Sequence, residues 1–157
     1  MQDMADVSIR EAQNGDEAQL AAMMAALWPD GSLREHQFEA EALIRTRMSG
    51  TLPGTFLVAA EAAGELVGFI QVGLRSHADG CETERPVGFI EGWFVAEGSR
   101  GRGIGRQLME AAEQWARGMQ CREMASDALL DNQSSLRAHS ALGFEVVDRC
   151  VHFRKSL

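Results

Sequence analysis

The stretch Gly92-Trp93-Phe94-Val95-Ala96-Glu97-Gly98-Ser99-Arg100-Gly101-Arg102-Gly103-Ile104-Gly105-Arg106-Gln107-Leu108 runs from an apolar strand through a basic glycine-rich turn into a helix. That order builds an anion site. Glycines at alternate positions let backbone N–H groups approach a ligand closely, and a helix starting near Gly103 adds the positive end of its dipole. A pyrophosphate fits such a turn. The spacing has neither the Gly-x-Gly-x-x-Gly of a dinucleotide fold nor the Gly-Lys-Ser/Thr ending of a nucleoside-triphosphate loop. It reads instead as Arg100-x-x-Gly103-x-Gly105.

Upstream of this turn, Val7 to Glu11 reads as a short strand. Asn14-Gly15-Asp16-Glu17 reads as an N-cap with Glu at the third helical position, opening a helix to about Leu27 with Leu20, Met23, Met24 and Leu27 on one face. Trp28-Pro29-Asp30-Gly31 ends it. Ser32 and Glu35 repeat the capping pattern for a second helix to about Met48, closed by Gly50. Phe56 to Glu61 and Leu66 to Ser76 form a hairpin through Ala62-Ala63-Gly64-Glu65, and a third strand spans Val87 to Val95. Past the turn, Ile104, Leu108, Ala111, Trp115 and Met119 recur at helical spacing and are expected to face a core. A strand over Glu123 to Asp127, a helix over Ser134 to Leu142 and a last strand over Glu145 to Arg154 complete an α/β order with a mixed sheet.

At 157 residues and 45% hydrophobic content, the chain suits a single domain spanning residues 1–157. A net charge of −8 and a sequence pI near 5.0 disfavour nucleic acid and favour a cationic small-molecule partner. Cys81, Cys121 and Cys150 show no Cys-x-x-Cys spacing, as expected of a reduced cytoplasmic protein with no metal site. Cys121 and Cys150 read as small core residues. Asp3 and Asp6 stand where an export signal would be basic, and no run reaches membrane-spanning length, so neither export nor a membrane partner is expected.

A second motif adds to the glycine turn: Asn132, followed by His139-Ser140-Ala141-Leu142-Gly143-Phe144. Together they resemble the two coenzyme A motifs of the GNAT acetyltransferases. Glu91-Gly92-x-Phe94-Val95, Cys121-Arg122-Glu123-Met124-Ala125-Ser126-Asp127 and Phe153-Arg154-Lys155 narrow the resemblance to the aminoglycoside 6′-N-acetyltransferases. Leu27-Trp28-Pro29 and Gly80-Cys81 fit the same subgroup. The resemblance implies a GNAT fold with a mixed, mainly antiparallel central sheet flanked by helices, acetyl-CoA as cosubstrate, an aminoglycoside as acceptor, and a homodimer. It also implies that Trp93, Phe94 and Val95 offer backbone groups to the pantetheine. Arg100 opens the turn whose Gly101, Arg102, Gly103, Ile104, Gly105 and Arg106 cradle the pyrophosphate, and Asn132 contacts the cosubstrate further along. For the acceptor it implies Trp28 as an apolar wall, with Glu91, Asp127 and Asp148 as carboxylates and Glu82 near a further acidic position.

An amine attacks a thioester directly, so the protein must hold both reactants, remove a proton and stabilise an oxyanion. Strand backbone near Phe94 and Val95 supplies an N–H for the carbonyl. Glu91 or Asp127 is the candidate proton acceptor, directly or through water, with Asp127 favoured as an anchor. Each has a structural alternative: Glu91 pairing with an arginine, Asp127 and Asp148 as solvated turn residues, Trp28 as a core cap. His139 reads as structural. Phe153 stands where relatives carry Tyr, and a chain without tyrosine has no phenol to act as general acid. Another small amine, a polyamine or a protein amine is the competing acceptor, and a noncatalytic coenzyme A sensor is the competing class.

Overall fold

The computed structural model describes residues 6–157, which leaves Asp3 outside the described residues. Its elements are β1 (Ser8–Glu11), α1 (Glu17–Leu27), α2 (Leu33–Thr46), β2 (Met48–Ser49), β3 (Leu52–Ala60), β4 (Leu66–Arg75), β5 (Val87–Val95), a 3₁₀ turn (Glu97–Ser99), α3 (Ile104–Gly118), β6 (Met124–Ser126) and α4 (Gln133–Ala141). The sheet order is β1-β3-β4-β5-β6, with β2 joined to β3 alone. The pairs β1–β3, β3–β4 and β4–β5 are antiparallel, and β5–β6 is parallel.

Alternation along the central strands divides the core between two faces. Phe56 and Val58 of β3 join Leu20, Met24, Leu43 and Phe69 under α1 and α2. Leu57 and Ala59, their neighbours in sequence, join Ile70, Ile90, Leu108 and Met109 under α3. A strand covered on both sides reads as a continuous apolar run, which is why Phe56 to Ala60 carries no polar alternation.

Several local expectations change. Asn14 does not cap α1: the cap is Asp16, whose side chain makes no capping bond because Arg10 holds it in a two-pronged pair at 2.7 and 3.0 Å. The Ser32–Glu35 capping box forms, but α2 ends at Thr46, with Arg47 rather than Gly50 in the left-handed cap at φ 55°. Arg47 holds that strained conformation because its guanidinium donates to the Ala12 carbonyl at 2.7 Å and the Thr55 hydroxyl at 3.1 Å. Met119 is exposed; the buried stripe of α3 is Ile104, Leu108, Met109, Ala112 and Ala116.

The expected last strand, Glu145 to Arg154, is absent. Residues 144–157 contain no helix or strand, and Val146, Val147, Val151 and Phe153 are exposed. The apolar alternation is present, but a strand needs a neighbour to satisfy its backbone groups, and no strand among the described residues pairs with this segment. Cys150 is consequently exposed, not a core residue, whereas Cys121 is buried as expected.

Candidate active site

The glycine turn joins β5 to α3 in left-handed backbone, with Gly101 and Gly103 both at φ 79° and open space where a Cβ would stand. Among the described residues, no backbone carbonyl accepts from the N–H groups of Gly101, Gly103, Ile104, Gly105 or Arg106. Clustered unpaired donors at a helix start are what an anion requires. Ile104 sends its side chain into the core under α3, so only its backbone is available. Arg100 donates to the Val95 carbonyl at 2.9 Å, Arg102 lies 3.4 Å from Glu61, and Arg106 is exposed. The Trp93 indole donates to the Gly105 carbonyl at 3.0 Å, fixing the turn against the strand.

Next to the turn the sheet opens. Parallel pairing of β5 with β6 stops at Ile90↔Ser126, while β5 continues to Val95. Among the described residues, the backbone of Gly92 to Val95 therefore has no strand on its β6 side. Glu91 and Asp127 each follow the last residue of the β5–β6 pairing. Glu91 sits at a bulge in β5, and its carboxylate lies with Arg75, whose guanidinium covers the Phe89 ring. Trp28 reaches the same region: a Cβ on Gly92 would lie 2.5 Å from its ring. Trp28 thus lies beside Gly92, next to Glu91, and the opening starts between Glu91 and Asp127, with Trp93, Phe94 and Val95 along its β5 side.

Glu91 does not stand alone. Arg75 donates to both of its carboxylate oxygens at 2.9–3.0 Å, and the guanidinium lies 3.5 Å over the Phe89 ring. Of a carboxylate's roughly four acceptor positions, three face Arg75. The arrangement suits a fixed negative charge better than a free base. Asp127 is exposed and makes no hydrogen bond or ion pair among the described residues.

Glu82 and Asp148 stand apart from these residues: Glu82 lies beside Glu123, before the start of β6. Glu82 donates its backbone N–H to Glu123 at 2.7 Å, and its own Oε1 is buried without a hydrogen-bond partner. Burial, then the charges of Glu123, Asp79 and Glu82, push the neighbouring Cys81 thiol above its ordinary range. Asp148 belongs to the exposed C-terminal segment, which passes this loop where Val147 covers Gly80. Asn132 caps α4 by accepting from the Ser135 N–H at 3.1 Å, so its carbonyl oxygen is occupied.

Three participants escaped the sequence reading. Arg75 could be found only from the strand register that brings it to Glu91. His36, buried on α2, donates through Nε2 to the Trp28 carbonyl at 3.0 Å and backs the Trp28 ring. Ser126 meets His139 across the sheet edge, Oγ to Nε2 at 2.8 Å.

The acetyltransferase (GNAT) family profile matches residues 19–144. The chain belongs to the GNAT acetyltransferase family. Among its members, an aminoglycoside N(6′)-acetyltransferase type 1 from Klebsiella aerogenes is 39% identical over 95% of this chain and 96% of its own length. A protein of the same name from Stenotrophomonas maltophilia is 38% identical over 96% and 94%. The solved complex of AAC(6′)-Iy with the bisubstrate analogue CoA-S-monomethyl-acetylneamine superposes with a TM-score of 0.85 at 31% identity, covering 97% of this acetyltransferase and 99% of that chain. The 6′-N-acetyltransferase AAC(6′)-Ih from Acinetobacter baumannii gives 0.83 at 31% identity over 97% and 99%. The GNAT fold expected from the glycine turn is the fold observed.

Proposed function

We propose that this GNAT enzyme transfers the acetyl group of acetyl-CoA to the 6′-amine of aminoglycosides by direct attack in a ternary complex, and so confers resistance. The observation that carries the reading is the opening beyond Ile90 and Ser126, with unpaired turn amides on one side and Glu91, Asp127 and Trp28 on the other. The pyrophosphate is held by the amides of Gly101 to Arg106 with Arg100 and Arg102 beside them. The pantetheine pairs with the free edge of Trp93, Phe94 and Val95, and Asn132 lies further along. Such an edge offers the hydrogen bonds of a missing strand. Among the described residues no cluster of His, Cys, Asp and Glu suits a metal, and direct amine attack on a thioester requires none.

For the acceptor, Trp28 supplies an apolar wall and Glu91, Asp127, Glu82 and Asp148 the charge that recognises several ammonium groups. Asp127 is the proton acceptor, directly or through water, because Glu91 is engaged by Arg75. The whole of residues 1–157 acts as one N-acetyltransferase domain, in the cytoplasm, where three free thiols persist. Two copies associate: an apolar, strand-patterned segment over residues 144–157 and the open edge of β6 supply complementary unpaired backbone.

The test is coenzyme A release with a panel of aminoglycosides, followed by locating the acetyl group on the product. Acetylation at the 6′-amine is expected. Acetylation of polyamines or proteins alone would move the enzyme to another acceptor class, and coenzyme A binding without turnover on any amine would make it a sensor.

A further inference from the structure

We infer that Ser126 and His139 form a proton relay that delivers a proton to the sulfur of the departing coenzyme A. The inference rests on the proposed acetyl transfer, with the thioester entering where β5 and β6 part. The hydrogen bonds define the pair. His139 Nδ1 lies 2.7 Å from the Ser135 backbone carbonyl, which can only accept, so Nδ1 carries a proton. Nε2 faces Ser126 Oγ at 2.8 Å. With the imidazole neutral, Ser126 donates to Nε2; with it protonated, Nε2 donates to Oγ and the serine hydroxyl hydrogen is free to point elsewhere.

The surroundings hold this ring in one orientation. Trp93 and Phe144 pack edge-to-face on it, with centroids at 5.4 and 5.2 Å and both interplanar angles 83°. Trp93 is in turn tied to Gly105 of the turn, so the same indole touches the cosubstrate loop and the relay. Ser126 is the last residue of β6 paired to β5, at the apex of the opening. The charged residues on the surrounding elements are Glu91 on β5, tied to Arg75, Glu123 and Asp127 flanking β6, Arg137 on α4, and those of α3. None of them hydrogen-bonds the ring.

In the step itself, the Nε2–H bond of protonated His139 breaks as an O–H bond forms at Ser126. The original Ser126 O–H breaks as S–H forms on the thiolate, leaving neutral His139 with its Nδ1–H still on Ser135. Solvent reprotonates the imidazole. A thiolate is a stable species in alkaline solution, where a cysteine-like thiol of pKa about 8.5 is ionised, so the relay matters most near and below neutrality. Ser126 is the catalytic donor and His139 its proton source. The chain has no tyrosine to take that role.

The experiment compares the parent with Ser126→Ala, His139→Gln and the double variant. At saturating substrates, turnover of each variant should fall at least tenfold at pH 6.5 and converge on the parent by pH 9. The double variant should be no slower than the worse single variant. A ratio constant across pH would show a structural role and overturn the relay, as would unchanged turnover at pH 6.5. As a readout independent of turnover, coenzyme A should raise the midpoint of the His139 ring titration followed by NMR. Desulfo-coenzyme A should not, and Ser126→Ala should abolish the shift. Identical titrations with both ligands would also overturn the relay. Absence of acetyl transfer by the parent on every amine would instead overturn the functional reading, while the NMR comparison still reports on the relay.

Discussion

Arg75 Nη2 lies 2.9 Å from each carboxylate oxygen of Glu91. The two side chains are 44% and 30% exposed, and a two-pronged pair on a rigid sheet retains more energy than a flexible surface pair. A double-mutant cycle with Arg75→Met and Glu91→Gln, read by urea unfolding, should give a coupling of about 1 kcal/mol. Arg75→Met should also raise the aminoglycoside KM more than the acetyl-CoA KM, since it releases the fixed charge at the acceptor side. Zero coupling would reduce the pair to a coincidence of geometry.

Gly92 leaves room for the Trp28 ring. An added Cβ would lie 2.5 and 2.6 Å from ring carbons, so Gly92→Ala must displace either Trp28 or β5 and should cost about 1–3 kcal/mol of stability. Trimming the indole with Trp28→Leu in the Gly92→Ala background should return most of that loss, while acceptor binding stays weak. Full stability in Gly92→Ala would mean that the contact relaxes freely.

At Gly103 the obstacle is the backbone. Its φ of 79° has open space around the missing Cβ, so Gly103→Val meets no neighbour but must hold a left-handed conformation at about 1–2 kcal/mol. The acetyl-CoA KM should rise at least tenfold with the aminoglycoside KM little changed, whereas Arg117→Ala on the exposed side of α3 should alter neither. Equal effects from the two variants would leave the turn a structural role only.

Asp16 makes stability depend on acidity. Burial opposes its charge, but hydrogen bonds from Arg10 and the Gln13 N–H, with the guanidinium's charge, outweigh that and hold its pKa below the ordinary carboxylate value. A depressed folded pKa contributes stability that is complete above the unfolded value near 3.9 and disappears as pH falls through the folded one. Asp16→Asn should therefore cost about 2 kcal/mol at pH 7, and the gap to the parent should close below about pH 4. A gap undiminished at pH 3 would exclude the ion pair as its source.

The segment beyond Phe144 should decide assembly. Ending the chain at Phe144 removes Val146, Val147, Val151 and Phe153, all exposed, and should convert a dimer in analytical ultracentrifugation to a monomer. Alkylation of Cys150, exposed in the single chain, should slow as protein concentration passes the dissociation constant. A parent that sediments as a monomer at every concentration would refute association through this segment.

Strand β5 was legible to the residue because Pro86 and the glycine turn bracket an apolar run too short for a helix. The hairpin to its left was legible because Gly64 marks its turn. The start of α1 was misread because Asn14 and Glu17 have the spacing of a capping box. Arg10, supplied by a neighbouring strand, fixed Asp16 as the boundary instead. Met119 continues the apolar spacing of α3 one turn past the last residue the sheet can cover. Arg75 and Ser126 carried no local signal, since their meaning depends on partners 16 and 13 positions away.

Sequence alone determined the glycine turn, the order of its flanking strand and helix, and with them the family. These follow from backbone freedom and apolar periodicity within a few consecutive residues, so they survive without knowledge of the fold. Only the tertiary structure decided what each charged group faces. Glu91 became a fixed charge when antiparallel pairing brought Arg75 across Phe89, and His139 gained Ser126 when α4 folded back beside β6. The terminal segment kept its strand pattern without becoming a strand. A strand is completed by the hydrogen bonds of a neighbour, and no stretch of sequence contains its own neighbour.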